Sequence, residues 1–395
     1  MTLLLVNSFW HPRGGDTTLV FAEEAGWNAR GVRVVPFAMR HPENQSSPWE
    51  VRFPPWTSPR RAGSGLERAS ALLRAIWSRE AAAALDSLCR DVRPTAAHVH
   101  HLHRHLTPSI FPVLRRHGVR TVWTLHDHEL VCPNGLRYVE GAPCFRCAGG
   151  RYGEAVRHRC KDGSRLASLG VAVEKAAHRA LRGHARPDVY VCPSRALADG
   201  LADDGVNGPV EVVPNLVTLA AEPGPPGTDV VYAGRLTAEK GIAELVALAR
   251  ALPEVRLHVY GDGPERSKLE GLPNVVVHGA RPREEVHGAL ARAGVVVVPS
   301  RWPENQPYAV LEAQGLGRPV VAAAVGGVPE LVDDGVDGRL VPPGSAPALI
   351  EAVRALLASP DTAAAMGIEA RRRVLANHGP EAWFSRMGVL LGLPQ

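Results

Sequence analysis

No stretch of this 395-residue sequence comes near the ~20 uninterrupted apolar residues that a membrane span requires, which excludes an integral membrane helix. The opening MTLLLVNSFWHPRGG has neither a basic n-region nor a small-residue cleavage site, and LLLVNSF reads instead as a first buried strand. Cysteine is scarce, at six residues, and such a chain belongs in a reducing cytoplasm, where thiols bind metal or stay free more often than they pair. No tandem repeat of fixed period occurs, which removes solenoids and propellers. There is no GxxxxGK[ST] loop, no GxGxxG following a strand and no HExxH, so Walker-type, dinucleotide-binding and zincin chemistries lack their usual carriers.

What is present is enough apolar residue, 45%, for two cores in a chain too long for one. Forty-five Lys plus Arg against 40 Asp plus Glu leave +5, the basic side almost all arginine and spread along the chain. That balance suits an anionic small ligand or an acidic lipid surface rather than nucleic acid. Short apolar runs alternate with helical patterns: TLLLVNSF, RVVPFA, AAHVHHL, RTVWTLHD and DVYVCPS, then DVVYAGR, RLHVYGDG, VVVHG, AGVVVVPS, RPVVAAAV and GRLVPPG. Continuous rather than alternating hydrophobicity marks parallel strands buried on both faces, so each half reads as a doubly wound α/β domain. The expected division is 1–213, a Pro- and Gly-rich linker at 214–228, and 229–378. A C-terminal helix at 379–395 has apolar residues at helical spacing and the N-terminal domain as a candidate packing surface.

In such sheets ligands bind at the carboxyl ends of strands, and the chemistry-bearing residues fall there. VVYAGRLTAEKG ends a strand at Gly234 and supplies Arg235 and Lys240 just before Gly241 and a helix, a combination suited to a diphosphate. VVVVPSRWPENQPYAVLEAQGLG breaks at Pro299, carries Glu304 in a loop and, with Pro307 in the first helical turn, places Glu312 further along the helix. Two carboxylates so placed reach different parts of one elongated ligand, and free amides around Tyr308 point at an anion between them. In the first half, Gly14 and Gly15 lie between a strand and a helix, and TVWTLHD brings His126 and Asp127 to a strand end.

AGRLTAEKG followed by PENQPYAVLEAQGLGRPVVA, with YGDGPERSKLE, VVVHGARPREEVHGALARAGVVVVPS and VGGVPELVDDGVDGRLVPPG in order, resembles the family 4 retaining glycosyltransferases. The Glu304-to-Glu312 spacing is similar to that family's E-x7-E motif. The resemblance implies a GT-B fold, two Rossmann-like doubly wound domains facing across a cleft, the N-terminal one taking the acceptor and the C-terminal one a nucleoside diphosphate sugar. It implies transfer to an acceptor hydroxyl with retention, independent of a catalytic metal. Arg235 and Lys240 would bind the diphosphate, Glu304 the donor sugar, Glu312 the ribose, and the loop from His278 through Arg281 to Arg283 would border the base. Gly14 and Gly15 would approach the phosphates, and His126 would face the sugar, so His126, Arg235, Lys240 and Glu304 form the implied catalytic set. Asn305, Gln306, Pro307 and Tyr308 complete the donor pocket, where Gln306, Pro307 and Tyr308 replace the Phe-Gly of many members and blur the donor's identity. Asp16, His100, His103 and Asp127 are assigned to the acceptor side.

AAHVHHLHRHLTP invites a metal reading, but no carboxylate or helical i, i+4 pair frames its histidines in sequence, and alternation sets only His98 and His100 on one face of a strand end. Cys132, Cys144, Cys147 and Cys160 form C-x11-C-x2-C-x12-C in an insertion at about 128–165. A closed structural zinc leads the readings there, free thiols come next and a disulfide last, while Cys89 and Cys192 read as buried apolar thiols. No cofactor is expected for catalysis. Surface polysaccharide assembly and natural-product glycosylation both suit the chain. A glycosidase using Glu304 and Glu312 and a noncatalytic nucleotide-sugar-binding protein are the rival classes. The expected location is the cytoplasm, with Arg-rich loops permitting peripheral contact with an anionic inner membrane face.

Overall fold

The computed structural model describes residues 1–12, 14–56, 65–219, 223–224 and 226–393, without the side chains of Asp16 and 65–69. The first sheet comprises β1 (Thr2–Val6), β2 (Arg33–Phe37), β3 (Ala96–Val99), β4 (Arg120–Thr124), β7 (Val189–Cys192) and β8 (Val210–Val212); a small antiparallel hairpin, β5 (Tyr138–Val139) and β6 (Ala142–Pro143), interrupts the count. The second sheet comprises β9 (Val230–Ala233), β10 (Leu257–Tyr260), β11 (Val275–Gly279), β12 (Val295–Val298), β13 (Val320–Ala323) and β14 (Gly338–Val341). Every pairing within the two sheets is parallel. The LLLV residues of β1 and all of VVVV in β12 are buried, because helices cover both faces.

Strand order fixes where a ligand can sit. The first sheet runs β2-β1-β3-β4-β7-β8, reversing direction of build between β1 and β3, and the second runs β11-β10-β9-β12-β13-β14, reversing between β9 and β12. At such a switch point adjacent connections leave to opposite faces and open a crevice at the carboxyl ends. The residues after β9 are Gly234 and Arg235, and those after β12 are Pro299 to Glu304, so the second crevice receives the two charged motifs. The cysteine-rich segment occupies the β4–β7 connection ahead of the helix Arg165–Leu181.

The chain crosses between domains twice, and the crossings touch. Val217 N–H donates to His378 carbonyl at 2.9 Å, and His378 Nδ1 lies 3.0 Å from Asn215 carbonyl. Residues 220–222 and 225 of the linker reading lie outside the described residues. After the second crossing the helix Pro380–Leu391 returns to the N-terminal domain, where Trp383, Phe384, Met387 and Leu391 join Leu19, Trp27 and Val122 in one cluster. Phe384 meets Trp27 edge-on at 4.9 Å, and Arg120 Nε donates to Leu390 carbonyl at 2.6 Å. This helix therefore holds the two domains in one body. Phe384→Ala is expected to cost about 3–5 kcal/mol in urea unfolding, the range for deleting a buried aromatic ring, and a loss below about 1 kcal/mol would contradict this packing role.

Candidate active site

On the C-terminal side, Gly241 stands at φ 80 and an added Cβ would lie 2.0 Å from Pro299 carbonyl, so only glycine lets the turn after β9 pack against the turn after β12. That contact delivers Lys240 to Glu304: Nζ donates to Oε1 at 2.5 Å, and Ser300 Oγ donates to the same oxygen at 2.6 Å. Lys240 also lies 5.0 Å above the Trp302 ring. Glu304 is buried, whereas the Arg235 side chain is 59% exposed and meets only Glu239, at 3.4 Å, among the described groups. A cation paired with a buried carboxylate beside a second, open cation is a site an added diphosphate can join without new charge being buried unpaired.

The loop after β12 is also the joint between the domains. Asn305 Nδ2 donates to the carbonyls of Leu125 at 3.1 Å and His126 at 3.3 Å, while Ser194 Oγ donates to Asn305 Oδ1 at 2.6 Å. Gln306 Oε1 accepts from Asn215 N–H at 2.7 Å, and His128 Nε2 lies 3.1 Å from Pro303 carbonyl. In the expected donor pocket, the Asn305 amide is committed to the opposite domain and Gln306 Oε1 to the linker backbone, because a buried amide left unpaired is costly. Pro307 is the N-cap of the helix Tyr308–Gly315 rather than its first residue. An added Cβ on Gly15 would lie 2.4 Å from the Tyr308 ring, so the glycine and the tyrosine close the cleft from opposite domains.

Further along, Glu312 Oε1 accepts from Arg283 Nε at 3.1 Å and Nη2 at 3.0 Å and lies 3.0 Å from His287 Nε2. His278 stacks flat on Tyr260, 4.2 Å between centroids and 6° between planes, and its Nε2 lies 2.9 Å from His258 Nδ1. Arg281 is exposed, with Nε donating to the His278 carbonyl at 2.9 Å.

In the N-terminal domain, His126 lies two residues past β4 and its Nε2 is 2.9 Å from His100 Nδ1. His100 and His103 do not face an acceptor as assigned. They are 1% and 8% exposed, His100 turned inward to Glu23 and His103 to Lys175, Nδ1 to Nζ 3.4 Å. The inward turn follows from alternation along β3, which points His98 and His100 together into the domain, where Glu23 supplies the carboxylate absent from their sequence neighbourhood. Asp127 accepts from Glu129 N–H at 2.7 Å; burial and the Glu129 charge push its carboxyl up to about 6. Burial works upward on Glu129 too, but Lys175 and Arg104 among its neighbours hold it well below the usual range. The Asp16 side chain lies outside the described residues.

Glu23 is the residue the sequence reading passed over. It lies at i+4 from Leu19 and i−4 from Trp27, and all three are buried, so the signal available was a carboxylate on the apolar stripe of its helix.

The four insertion cysteines line one small cavity of about 20 Å³ together with Val131, Arg137 and Phe145, and none is in a disulfide. Burial and the neighbouring thiols push Cys147 up to about 12 and Cys160 to about 11. Among the described residues, the groups that bring three ligand atoms within 4.8 Å of one another consist of histidines and carboxylates, without a cysteine.

With this geometry in view the chain can be placed among known proteins. Residues 13–221 match the Glycosyltransferase Family 4 family and residues 227–359 match Glycosyl transferases group 1. The first match spans more than half of the chain, which belongs to glycosyltransferase family 4. It is 33% identical over 162 residues to the alpha-D-kanosaminyltransferase of Streptomyces kanamyceticus, covering 38% of this chain and 40% of that protein. It is 36% identical over 179 residues to the GDP-mannose-dependent alpha-(1-6)-phosphatidylinositol monomannoside mannosyltransferase of Mycolicibacterium smegmatis, covering 41% and 47%. The aligned stretches thus span less than half of either relative. The sucrose-phosphate synthase of Thermosynechococcus elongatus superposes with a TM-score of 0.70 at 23% identity over 98% of each chain, sharing the GT-B fold.

The buried histidines set an acid limit on this architecture. Burial pushes His100, His128, His178 and His378 down to about 4 from 6.5. Between those values the unfolded chain binds protons the folded chain refuses, so stability rises with pH through the window and is lost on acidification, by up to ~1.4 kcal/mol per pH unit and group. The urea midpoint is expected to be lower at pH 5 than at pH 7; equal midpoints would contradict the burial of neutral imidazoles.

Proposed function

We propose that this chain is a retaining glycosyltransferase that moves a sugar from a nucleoside diphosphate sugar to an acceptor hydroxyl. The observation that carries the reading is Lys240 joined to Glu304 at the switch point of the second sheet, with exposed Arg235 in the same turn after β9. Glu304 stands one residue before Asn305, whose amide donates to the His126 carbonyl of the opposite domain. In the transition state charge separates: the leaving diphosphate becomes more negative and the anomeric carbon oxocarbenium-like. Arg235 and Lys240 answer the first change without a divalent ion, and Glu304, shared between Lys240 and a sugar hydroxyl, holds the ring in place. Glu312, held by Arg283, is the residue we assign to the ribose hydroxyls. Retention follows if the acceptor enters on the face the diphosphate leaves, with a phosphate oxygen taking its proton.

The names of both relatives support a sugar-transfer role, the mycobacterial one on a phosphatidylinositol mannoside, and its GDP-mannose dependence supports a nucleotide-sugar donor. Cell-surface polysaccharide synthesis in the cytoplasm is the proposed setting. Among the described residues no helix is long and apolar enough to cross a membrane, so contact with a lipid-linked acceptor would be peripheral. A structural zinc in the insertion is supported by four cysteines around one cavity in a segment with few buried apolar residues. Thiols that raise one another's pKa are those a divalent cation deprotonates, and here they must rotate inward to bind it.

Glu304→Ala is expected to lower transfer from UDP- and GDP-sugars by ~10²-fold or more while the fold persists, and Lys240→Ala to weaken donor binding. Near-normal turnover in both variants would remove the assignment. Purified protein is expected to carry one zinc per chain by atomic emission, with the four insertion thiols protected from titration until a chelator is added. Metal-free protein with all four freely reactive would refute that site.

A further inference from the structure

One buried carboxylate has no part in the chemistry above. Glu23 is fully buried and its oxygens are fully engaged: Trp27 Nε1 donates to Oε1 at 3.1 Å, His98 Nδ1 lies 2.7 and 2.8 Å from the two oxygens, and His100 Nε2 lies 3.0 Å from Oε2. His98 is anchored at its other nitrogen by Thr124 Oγ1 at 2.7 Å, and Trp123 Nε1 fixes the His100 carbonyl at 2.8 Å. The remaining nitrogen of His100, Nδ1, meets His126 Nε2 at 2.9 Å. A continuous chain of hydrogen bonds thus runs from the helix Gly15–Ala29 through β3 to His126, two residues past β4.

We infer that Glu23 and His100 are positioning residues for His126, fixing it as the Nε2–H tautomer so that any sugar hydroxyl meeting its Nδ1 does so as a donor. The logic is one of donor and acceptor counting. Burial pushes Glu23 up, but His98 and His100 outweigh it and hold the carboxyl down at about 2, so it is ionised and only accepts. His100 must then place its hydrogen on Nε2. Burial, followed by the neighbouring His98, pushes His100 down to about 4, so the ring is neutral and its Nδ1 carries a lone pair. His126 is left to supply the hydrogen between them. Groups facing this chain include Trp27 from the helix, His98 from β3, Thr124 from β4, His101 at 5.0 Å from the His126 ring, and Trp383 of the C-terminal helix against His98 at 6.3 Å. The inference rests on the proposed sugar-transfer reading for its use, but not for its geometry.

The test follows from the indole of Trp27, which can only donate. In Glu23→Gln the carbonyl oxygen stays at the Oε1 position facing Trp27, and the amide nitrogen replaces Oε2 opposite His100. A donor there turns His100 to its Nδ1–H form, and His126 to Nδ1–H in consequence. Nitrogen-15 NMR of histidine-labelled full-length protein at pH 7, with the His126 signals assigned by their loss in His126→Asn, is expected to show Nε2–H in the native chain. In folded Glu23→Gln it is expected to show Nδ1–H or a mixture, with UDP affinity within threefold. A native Nδ1–H tautomer, or an unchanged His126 tautomer in folded Glu23→Gln, would overturn the inference. The native spectrum decides the matter if the variant does not fold. Absence of UDP and GDP binding to the native protein by calorimetry would instead overturn the sugar-transfer reading and leave the tautomer result standing.

Discussion

The side chain of Asn305 holds the two halves of this protein in register. Its amide reaches the carbonyls of Leu125 and His126 in one domain while its oxygen accepts from Ser194, and it sits one residue beyond Glu304 in the other. The loop that carries the carboxylate toward the sugar is therefore the loop that measures the distance to His126. The bonds to Leu125 and Ser194 are made in a buried setting, where a missing partner costs the full desolvation of the group left behind. The joint is accordingly specific for one closed arrangement.

Around that joint the polar groups fall into two systems with different tasks. On the C-terminal side Lys240, Glu304 and Ser300 form a compact charged set at the tips of β9 and β12, with Arg235 open beside it. On the N-terminal side the carboxylate is withdrawn, about two turns along the helix Gly15–Ala29, and bonds to two imidazoles. Glu330 adds a third link, accepting from the N–H groups of Arg195 and Ala196 at 2.8 Å each and so capping a helix in the opposite domain. Both systems depend on the returning C-terminal helix, whose Trp383 and Phe384 close the core behind Glu23 and Trp27.

How much was legible in the sequence followed from range. The parallel sheets could be read because LLLV and VVVV are local patterns, and so could the placement of Arg235, Lys240 and Glu304 in turns after strands and of Glu312 on the helix that follows. Glu23 was passed over in FAEEAGW, where two adjacent glutamates look like a solvated face. Only the i, i+4 relation to Leu19 and Trp27 puts one of them inside, opposite histidines 75 and 77 residues away. The commitments of Asn305 and Gln306 were hidden for the same reason: their partners lie 91 to 180 residues distant. The histidine run was read correctly as to which two residues share a face, but the direction of that face is a tertiary fact.

The account stands on the cleft between Lys240 and Gly15 being a nucleoside diphosphate site. Thermal unfolding of the native chain across a panel of nucleoside diphosphates and their sugars tests this directly. At a hundredfold its Kd a ligand that binds only the folded state adds ~2.7 kcal/mol, so at least one member is predicted to raise the midpoint by several degrees. A midpoint unmoved by every diphosphate at millimolar concentration would contradict it.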